Sequence, residues 1–435
     1  MEGIVMEGNC NIEGKKLLVL GGVPMIRELV EDAQKRGAYV IVSDYLENSS
    51  AKEVADEAWL ISTADTEALA EKCIEVGVDG VISAFDDFNI FCSQRLSERL
   101  DKPFYATGSQ LTQMMDKKEF KHLCVKNGVP STKEFVLDED LSPECLAAVE
   151  YPAIMKPVDL SGSRGITIVR NEEELLAAYH NAMDKSRKKS VVLEKYMEGD
   201  EVGVNYILQD GKIHLSVMHD RYMQKQCASH IRLPLAYVYP SKYTQYYLEN
   251  ENQKVIDMFH SIGMENGTLF LQGCVDHSVV HFYETGYRIN GAKQYQLLDS
   301  LCGFNPMQMI VNHSLTGKMA EVDISDRVNP MLTKHCCTLS ILIRSCTIGS
   351  IQGLDTISAM PETEAITQWL REGEDVPESA VGTQKQIAMR ITLSAETLEG
   401  LADAINAVYK TLVILDTAGE NAILEQFDTN LLFQK

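Results

Sequence analysis

The chain of 435 residues is short of positive charge: 40 Lys and Arg stand against 63 Asp and Glu, a formal net charge of −23. Nucleic-acid binding draws its affinity from clustered cations, so the composition argues against DNA and RNA as partners. No apolar run approaches the roughly 20 residues a membrane span needs. The N-terminal MEGIVMEGNCNIEGKK also lacks the continuous apolar stretch of a secretory signal. These absences predict a soluble, cytoplasmic protein without a membrane partner. The eleven cysteines show no CxxC pair and no ligand-like spacing, which fits a reducing compartment better than a disulfide framework. Adjacent Cys336 and Cys337 read as strand residues on opposite faces, and so as packing. GxxxxGK[ST] does not occur, which removes the P-loop as a phosphate cradle, and GxSxG is missing too. The turn Gly21-Gly22 before Pro24 lacks GxGxxG spacing and reads as a tight strand-to-helix turn.

What is present is alternation. The length predicts two to four structural units, and their order predicts a mixed α/β and α+β multidomain architecture. From Lys15, KLLVL, PMIRELVEDAQKRG, AYVIVSD, TEALAEKCIEVG and GVISA alternate strand and helix, which predicts a parallel α/β unit over residues 1–112. A polar helix, MMDKKEFKHLCVKNG, then ends at Gly128 ahead of Pro130. Residues 113–325 read as a two-lobed unit. Its first lobe, residues 130–197, contains the strand PAIMKP, the loop DLSGSRG, the strand ITIV, the helix NEEELLAAYHNAM and the strand SVVLEKYM. In the second, residues 198–325, EVGVNYIL and IHLSVMH flank Asp210-Gly211, a strong hairpin signal. A long helix, TQYYLENENQKVIDMFHSIG, precedes two strands that flank Asp276-His277-Ser278. Residues 326–435 form a C-terminal α+β unit with the strands TLSILIRSC and QIAMRITL and helices near ETEAITQWLREG and AETLEGLADAINAVYKTL.

The chemistry starts with the loop Asp159-Leu160-Ser161-Gly162-Ser163-Arg164-Gly165, three residues beyond Lys156. Its small side chains let backbone amides approach anionic oxygens, although taken alone it reads first as a surface hairpin loop. The order of elements changes that reading. Lys117, Ile154-Met155-Lys156-Pro157, the SGSRG loop, the run Val191 to Glu201 and Tyr283-Glu284-Thr285-Gly286-Tyr287-Arg288 follow one another. Agreement of all five by chance is improbable.

This series resembles the ATP-grasp superfamily over roughly residues 15 to 320, especially the branch of biotin carboxylase, carbamoyl phosphate synthetase and carboxylate–amine ligases. The C-terminal unit resembles that branch less specifically. The resemblance implies a pre-ATP-grasp domain, a two-lobed ATP-grasp domain and a C-terminal domain. It implies that Lys117, with Lys118 as the alternative, and Lys156 contact ATP phosphates while Ser161, Gly162, Ser163 and Gly165 close over the triphosphate. Glu194, Lys195, Tyr196 and Met197 match the hinge that receives adenine, and Glu201 matches the acid that holds the ribose hydroxyls. Gln272 and Glu284 match the metal-ligand positions and Arg288 the phosphate-contacting arginine. Lys156 and Arg288 then carry catalysis.

Two-residue periodicity puts Glu284, Gly286, Arg288 and Asn290 on one strand face, and the turn at residues 276–278 sets Gln272 opposite Glu284. The family often has Glu-x-Asn-x-Arg, and here Gly286 stands where that Asn would be; Asn290 is the candidate replacement ligand. The cofactors implied are ATP and Mg²⁺, with Mn²⁺ as substitute. The activity implied is phosphorylation of a small-molecule carboxylate to an acyl phosphate, which an amine attacks with release of ADP and phosphate. The alternatives are a bicarbonate-phosphorylating enzyme and an ATP-binding regulator with weak turnover. A homodimer is compatible with the pattern. Arg221 and Arg232 are candidate holders of a substrate carboxylate. His219 and His230, without partners at zinc spacing, read as structural or exposed.

Overall fold

The computed structural model describes residues 8–138, 140–158, 165–225 and 232–434. Four parallel strands open the chain, in the order Glu57–Trp59, Tyr39–Ser43, Lys16–Leu20, Gly80–Ile82. KLLVL is central and buried from Leu17 to Leu20, as its unbroken apolar run predicts for a strand covered on both faces. The last strand leads into the helix Asp87–Arg99. Asp86 caps it by accepting from the Asn89 amide, which fixes Asp87 in the first turn.

The expected helix over residues 114–128 is two helices, Gly108–Met115 and Lys117–Lys126. Asp116 separates them because its extended backbone ends the first, while its carboxylate accepts from the Lys118 and Glu119 amides at the start of the second. Next comes a four-stranded antiparallel sheet in the order Glu134–Phe135, Val191–Lys195, Ala153–Pro157, Thr167–Val169. The helix Glu172–Lys185 packs Leu175, Ala178 and Ala182 against it.

An eight-stranded antiparallel sheet dominates the rest, in the order Val279–Gly286, Gly267–Asp276, Asp200–Gln209, Lys212–Met223, Pro234–Tyr239, His335–Leu342, Ile387–Ala395, Thr363–Gln368. Its hairpin at Asp210-Gly211 forms as read, and at the other predicted turn His277 and Ser278 both take positive φ. Strands on either side of residue 325 belong to this one sheet. Cys336 and Cys337 lie in it side by side yet belong to different apolar cores, as strand alternation requires.

Two further expectations are corrected. The helix expected over residues 244–263 is broken at Glu251, whose carboxylate accepts the Val280 amide. The helix expected near residues 362–373 is the edge strand Thr363–Gln368, where Thr363, Ile366 and Thr367 pair with the Ile387–Ala395 strand. β-branched residues favour the pleated surface that the partner strand offers. Among the described residues no helix is long and apolar enough to cross a membrane.

Candidate active site

A cavity of about 330 Å³ opens between the four-stranded and eight-stranded sheets. Lys117, Lys156, Glu194, Lys195, Tyr196, Met197, Glu201, Gln272, Glu284, Arg288 and Asn290 all line it. The sequence positions span more than 170 residues, so the fold is what gathers them. Of the remaining site residues, Ser161, Gly162 and Ser163 lie outside the described residues, as does His230. Gly165 has φ of 75° and sits against Pro157, away from the cavity lining.

Lys156 is in the second sheet position from the Thr167–Val169 edge, and its ladder register brings it beside the strand that carries Glu194. Its Nζ donates to Glu194 Oε2 at 2.6 Å, and both side chains are nearly inaccessible. Lys121 donates to the other carboxylate oxygen and to Thr132 Oγ1 at 3.0 Å. Burial pushes the Glu194 carboxyl up, but Lys156 and Lys121 more than offset this and hold it below the usual carboxylate range. Glu194 is thus an anchor for two lysines, a role the sequence reading did not assign. Lys121 was missed altogether: on the helix Lys117–Lys126 it lies one turn beyond Lys117 and faces inward, whereas Lys118 reaches the Ser190 hydroxyl at the exposed side. The helical spacing from Lys117 was the available signal. Lys117 approaches the Val158 carbonyl at 3.5 Å.

In the expected hinge, the Lys195 and Tyr196 amides donate to the Lys133 and Pro152 carbonyls. These two amides therefore hold the segment in place. Glu201, the expected ribose reader, pairs with Arg221 at 2.8 Å and accepts from Tyr283 Oη at 3.2 Å. Arg221 Nη1 also donates to Gln272 Oε1 at 3.2 Å and to Tyr283 Oη at 2.8 Å. The guanidinium expected to hold a substrate carboxylate is thus engaged by the cleft's own groups. Arg232 donates to Tyr196 Oη at 3.2 Å from an exposed position.

Gln272 and Glu284 are direct cross-strand partners, as the turn predicts. Two oxygen donors suit Mg²⁺, which usually keeps waters and takes phosphate oxygens for the rest of its octahedron. Among the described residues no group of three or more His, Cys, Asp or Glu gathers to hold a metal, so any cation here depends on its ligand for most contacts. Asn290 is buried and committed: its Nδ2 donates to Asn205 Oδ1 at 2.8 Å and its Oδ1 accepts the Ala292 amide at 2.9 Å. At Gly286 the place a side chain would take is filled, since a Cβ there would lie 2.5 Å from the Phe270 ring. The Arg288 guanidinium stacks over that same ring at 5.0 Å and pairs with Asp87. The Phe270 ring thus occupies the room the family's Asn would need. Asp87, delivered by the N-terminal unit, is a second residue the sequence reading missed.

His219 is fully enclosed, touching Asn205, Tyr237 and Tyr239. Burial drives its pKa well below the ordinary value, with Arg221 and Arg390 adding to the effect, so it is neutral as its structural reading requires.

The protein family described as "D-ala D-ala ligase C-terminus" matches residues 125–259. A formate-dependent phosphoribosylglycinamide formyltransferase of Prochlorococcus marinus subsp. pastoris is 30% identical over 191 residues, covering 43% of this chain and 48% of that protein. The chain thus spans about half the length of such relatives. Among solved structures, the L-amino acid ligase of Bacillus licheniformis superposes with a TM-score of 0.75 at 18% identity, over 93% of this chain and 99% of that one. The biotin carboxylase domain of the 2-oxoglutarate carboxylase of Hydrogenobacter thermophilus, in complex with MgADP, ADP and bicarbonate, gives 0.74 at 17% identity, over 92% and 91%.

Proposed function

Because this chain has the ATP-grasp fold, we propose that it is an ATP-dependent, ADP-forming ligase that activates a small-molecule carboxylate as an acyl phosphate and joins it to an amine. The observation that supports this most is the meeting of Lys156 and Glu284 in one cleft, although they sit on different sheets. ATP would lie between the sheets, its adenine against residues 194–197 and its ribose near Glu201. Lys117, Lys121 and Lys156 would face its phosphates, and residues 161–165 would close over them. Gln272 and Glu284 would hold Mg²⁺, with Mn²⁺ as substitute; bound there, the cation neutralises phosphate charge. Arg288, oriented by Asp87 and the Phe270 ring, would stabilise the transferring phosphoryl group. No side-chain nucleophile is needed.

The local charge fits this use. In a chain of net charge −23, seven Lys and Arg against four Asp and Glu line one cavity, an electropositive exception that suits a polyanion. A second reading, ATP binding with weak turnover, draws on the Phe270 ring over Gly286, which removes one expected metal ligand. ADP release from Mg·ATP, measured with pooled carboxylates, pooled amines and both together, separates the readings. Release only with both pools supports the ligase. Nucleotide binding without stimulated release supports the regulator, and release driven by bicarbonate alone supports the carboxylase alternative. The proposed setting is the cytoplasm, with the three-unit division at residues 112 and 325 and room for a homodimer.

A further inference from the structure

Arg390 lies on the strand Ile387–Ala395, in the C-terminal part of the eight-stranded sheet, and faces the same cavity from the side opposite the lysines' sheet. It is 2% exposed. Its Nε donates to Ser340 Oγ at 3.3 Å and its Nη2 to Tyr237 Oη at 3.4 Å, while the guanidinium stacks on Tyr237 and Trp369 at 5.2 and 5.5 Å. Nη1 is buried and has no hydrogen-bond partner among the described residues. Among the described residues no carboxylate lies within ion-pair distance of Arg390, in contrast to the other arginines and lysines deep in the cleft.

A buried cation without a counter-charge is expensive, and proteins keep such groups where a ligand supplies the missing charge. The surroundings do not supply it. Lys293 approaches the same Trp369 ring, at 5.5 Å from its centre, and is paired with Glu28. Glu28, Lys293 and Arg390 therefore sum to a single positive charge. The site asks for one negative charge, a carboxylate rather than a phosphate dianion. Gly291 presents no side chain beside Nη1: a Cβ there would sit 3.4 Å from Nη1 and 3.0 Å from Met25 Cε.

The geometry points to Arg390 as the receptor for a carboxylate that survives the reaction, carried by one of the two organic substrates. This rests on the ligase reading for its chemistry, since the carboxylate that reacts must reach the phosphates near Lys156 and Arg288. The one at Arg390 stays anionic and fixes the molecule that bears it. Met25, Phe85 and Tyr237 give that molecule an apolar wall. Arg390 is thus a specificity residue, and an amino acid or a dicarboxylate is the substrate class it selects.

The test is binding to the full chain in the presence of Mg·ADP, read by thermal shift and titration. The probes are a mixture of L-amino acids and short dicarboxylates, the same compounds as carboxamides, and a phosphate monoester. The carboxylates are expected to stabilise the wild type and the carboxamides and phosphate ester are not. In Arg390→Met the carboxylates should bind about 10- to 100-fold more weakly, the loss expected for a charge-assisted pair. Gly291→Ala, which keeps the guanidinium and fills the space beside Nη1, should weaken the same probes while Mg·ADP binds normally. Equal stabilisation of wild type and both variants, no stabilisation of the wild type, or preference for the phosphate ester each overturns the assignment. Failure of the ligase reading would instead show as no ADP release from the wild type despite intact carboxylate binding.

Discussion

The two ends of the cleft handle charge differently. At the proposed nucleotide end each deeply placed cation has a carboxylate partner: Lys121 and Lys156 share Glu194, Arg221 has Glu201 and Arg288 has Asp87. At the other end Arg390 is equally buried and, among the described residues, its hydrogen-bond and stacking partners are hydroxyls and rings. The first arrangement holds the proposed phosphate-binding groups in place through the protein's own acids, which bear the cost of desolvation. The second leaves the counter-charge to the substrate, which makes occupancy there selective for an anion.

Breaking the matched end should have the largest effect. Glu194→Gln strands two buried lysines beside one another and should destabilise the fold by about 3–5 kcal/mol, read as a shift in the denaturant midpoint. An unchanged midpoint would show that the lysines do not depend on it. Glu284→Ala or Arg288→Ala should lower kcat about 100- to 1000-fold with circular dichroism unchanged, the scale seen when a charge-stabilising group is lost. Near-normal ADP production by either would remove it from the site. Gly286→Asn, which restores the family's residue, should cost about 1–3 kcal/mol because the added Cβ meets the Phe270 ring; a neutral effect would mean that the ring moves aside freely.

The smallest effect sharpens the rule about missing counter-charges. Asp220, next to Arg221 in sequence, is buried without an ion-pair partner among the described residues: Ser241 Oγ and the Lys242 amide donate to it, while Lys242 Nζ goes to Asp200. Burial is the main cause that pushes its pKa up to about 6, against the lowering by those hydrogen bonds. A raised carboxyl pKa stabilises the fold fully below the unfolded value near 3.8, and that contribution is lost as pH rises through about 6. Asp220→Asn should therefore gain stability relative to the wild type between pH 4 and 7, by roughly 1–3 kcal/mol in pH-scanned unfolding. A flat difference would mean that water reaches the carboxylate.

Much of the site was legible in the sequence because its motifs are local. AIMKP and VVLEK lie in short strands, YETG ends another at Gly286 just before Arg288 and Asn290, and the cross-strand pair Gln272 and Glu284 follows from one turn. Lys121, Asp87 and Arg390 were not legible. Each acts through a partner more than 70 residues away or through a cavity wall; helical spacing from Lys117 is the one local signal for Lys121, and nothing local marks an arginine in an apolar strand. The same limit explains Thr363–Gln368, which is a strand only because Ile387–Ala395 offers it an edge. It also explains why the pairing of Glu194 with two lysines could not be read from its motif.

Titration of a non-hydrolysable ATP analogue, with and without Mg²⁺, into the wild type, Lys156→Met and Glu284→Gln bears most directly on the claim that one cleft holds a triphosphate between its two sheets. Both variants should bind more weakly, and the deficit of Glu284→Gln should vanish when Mg²⁺ is withheld while that of Lys156→Met persists. Wild-type affinity in both variants under both conditions would contradict the account.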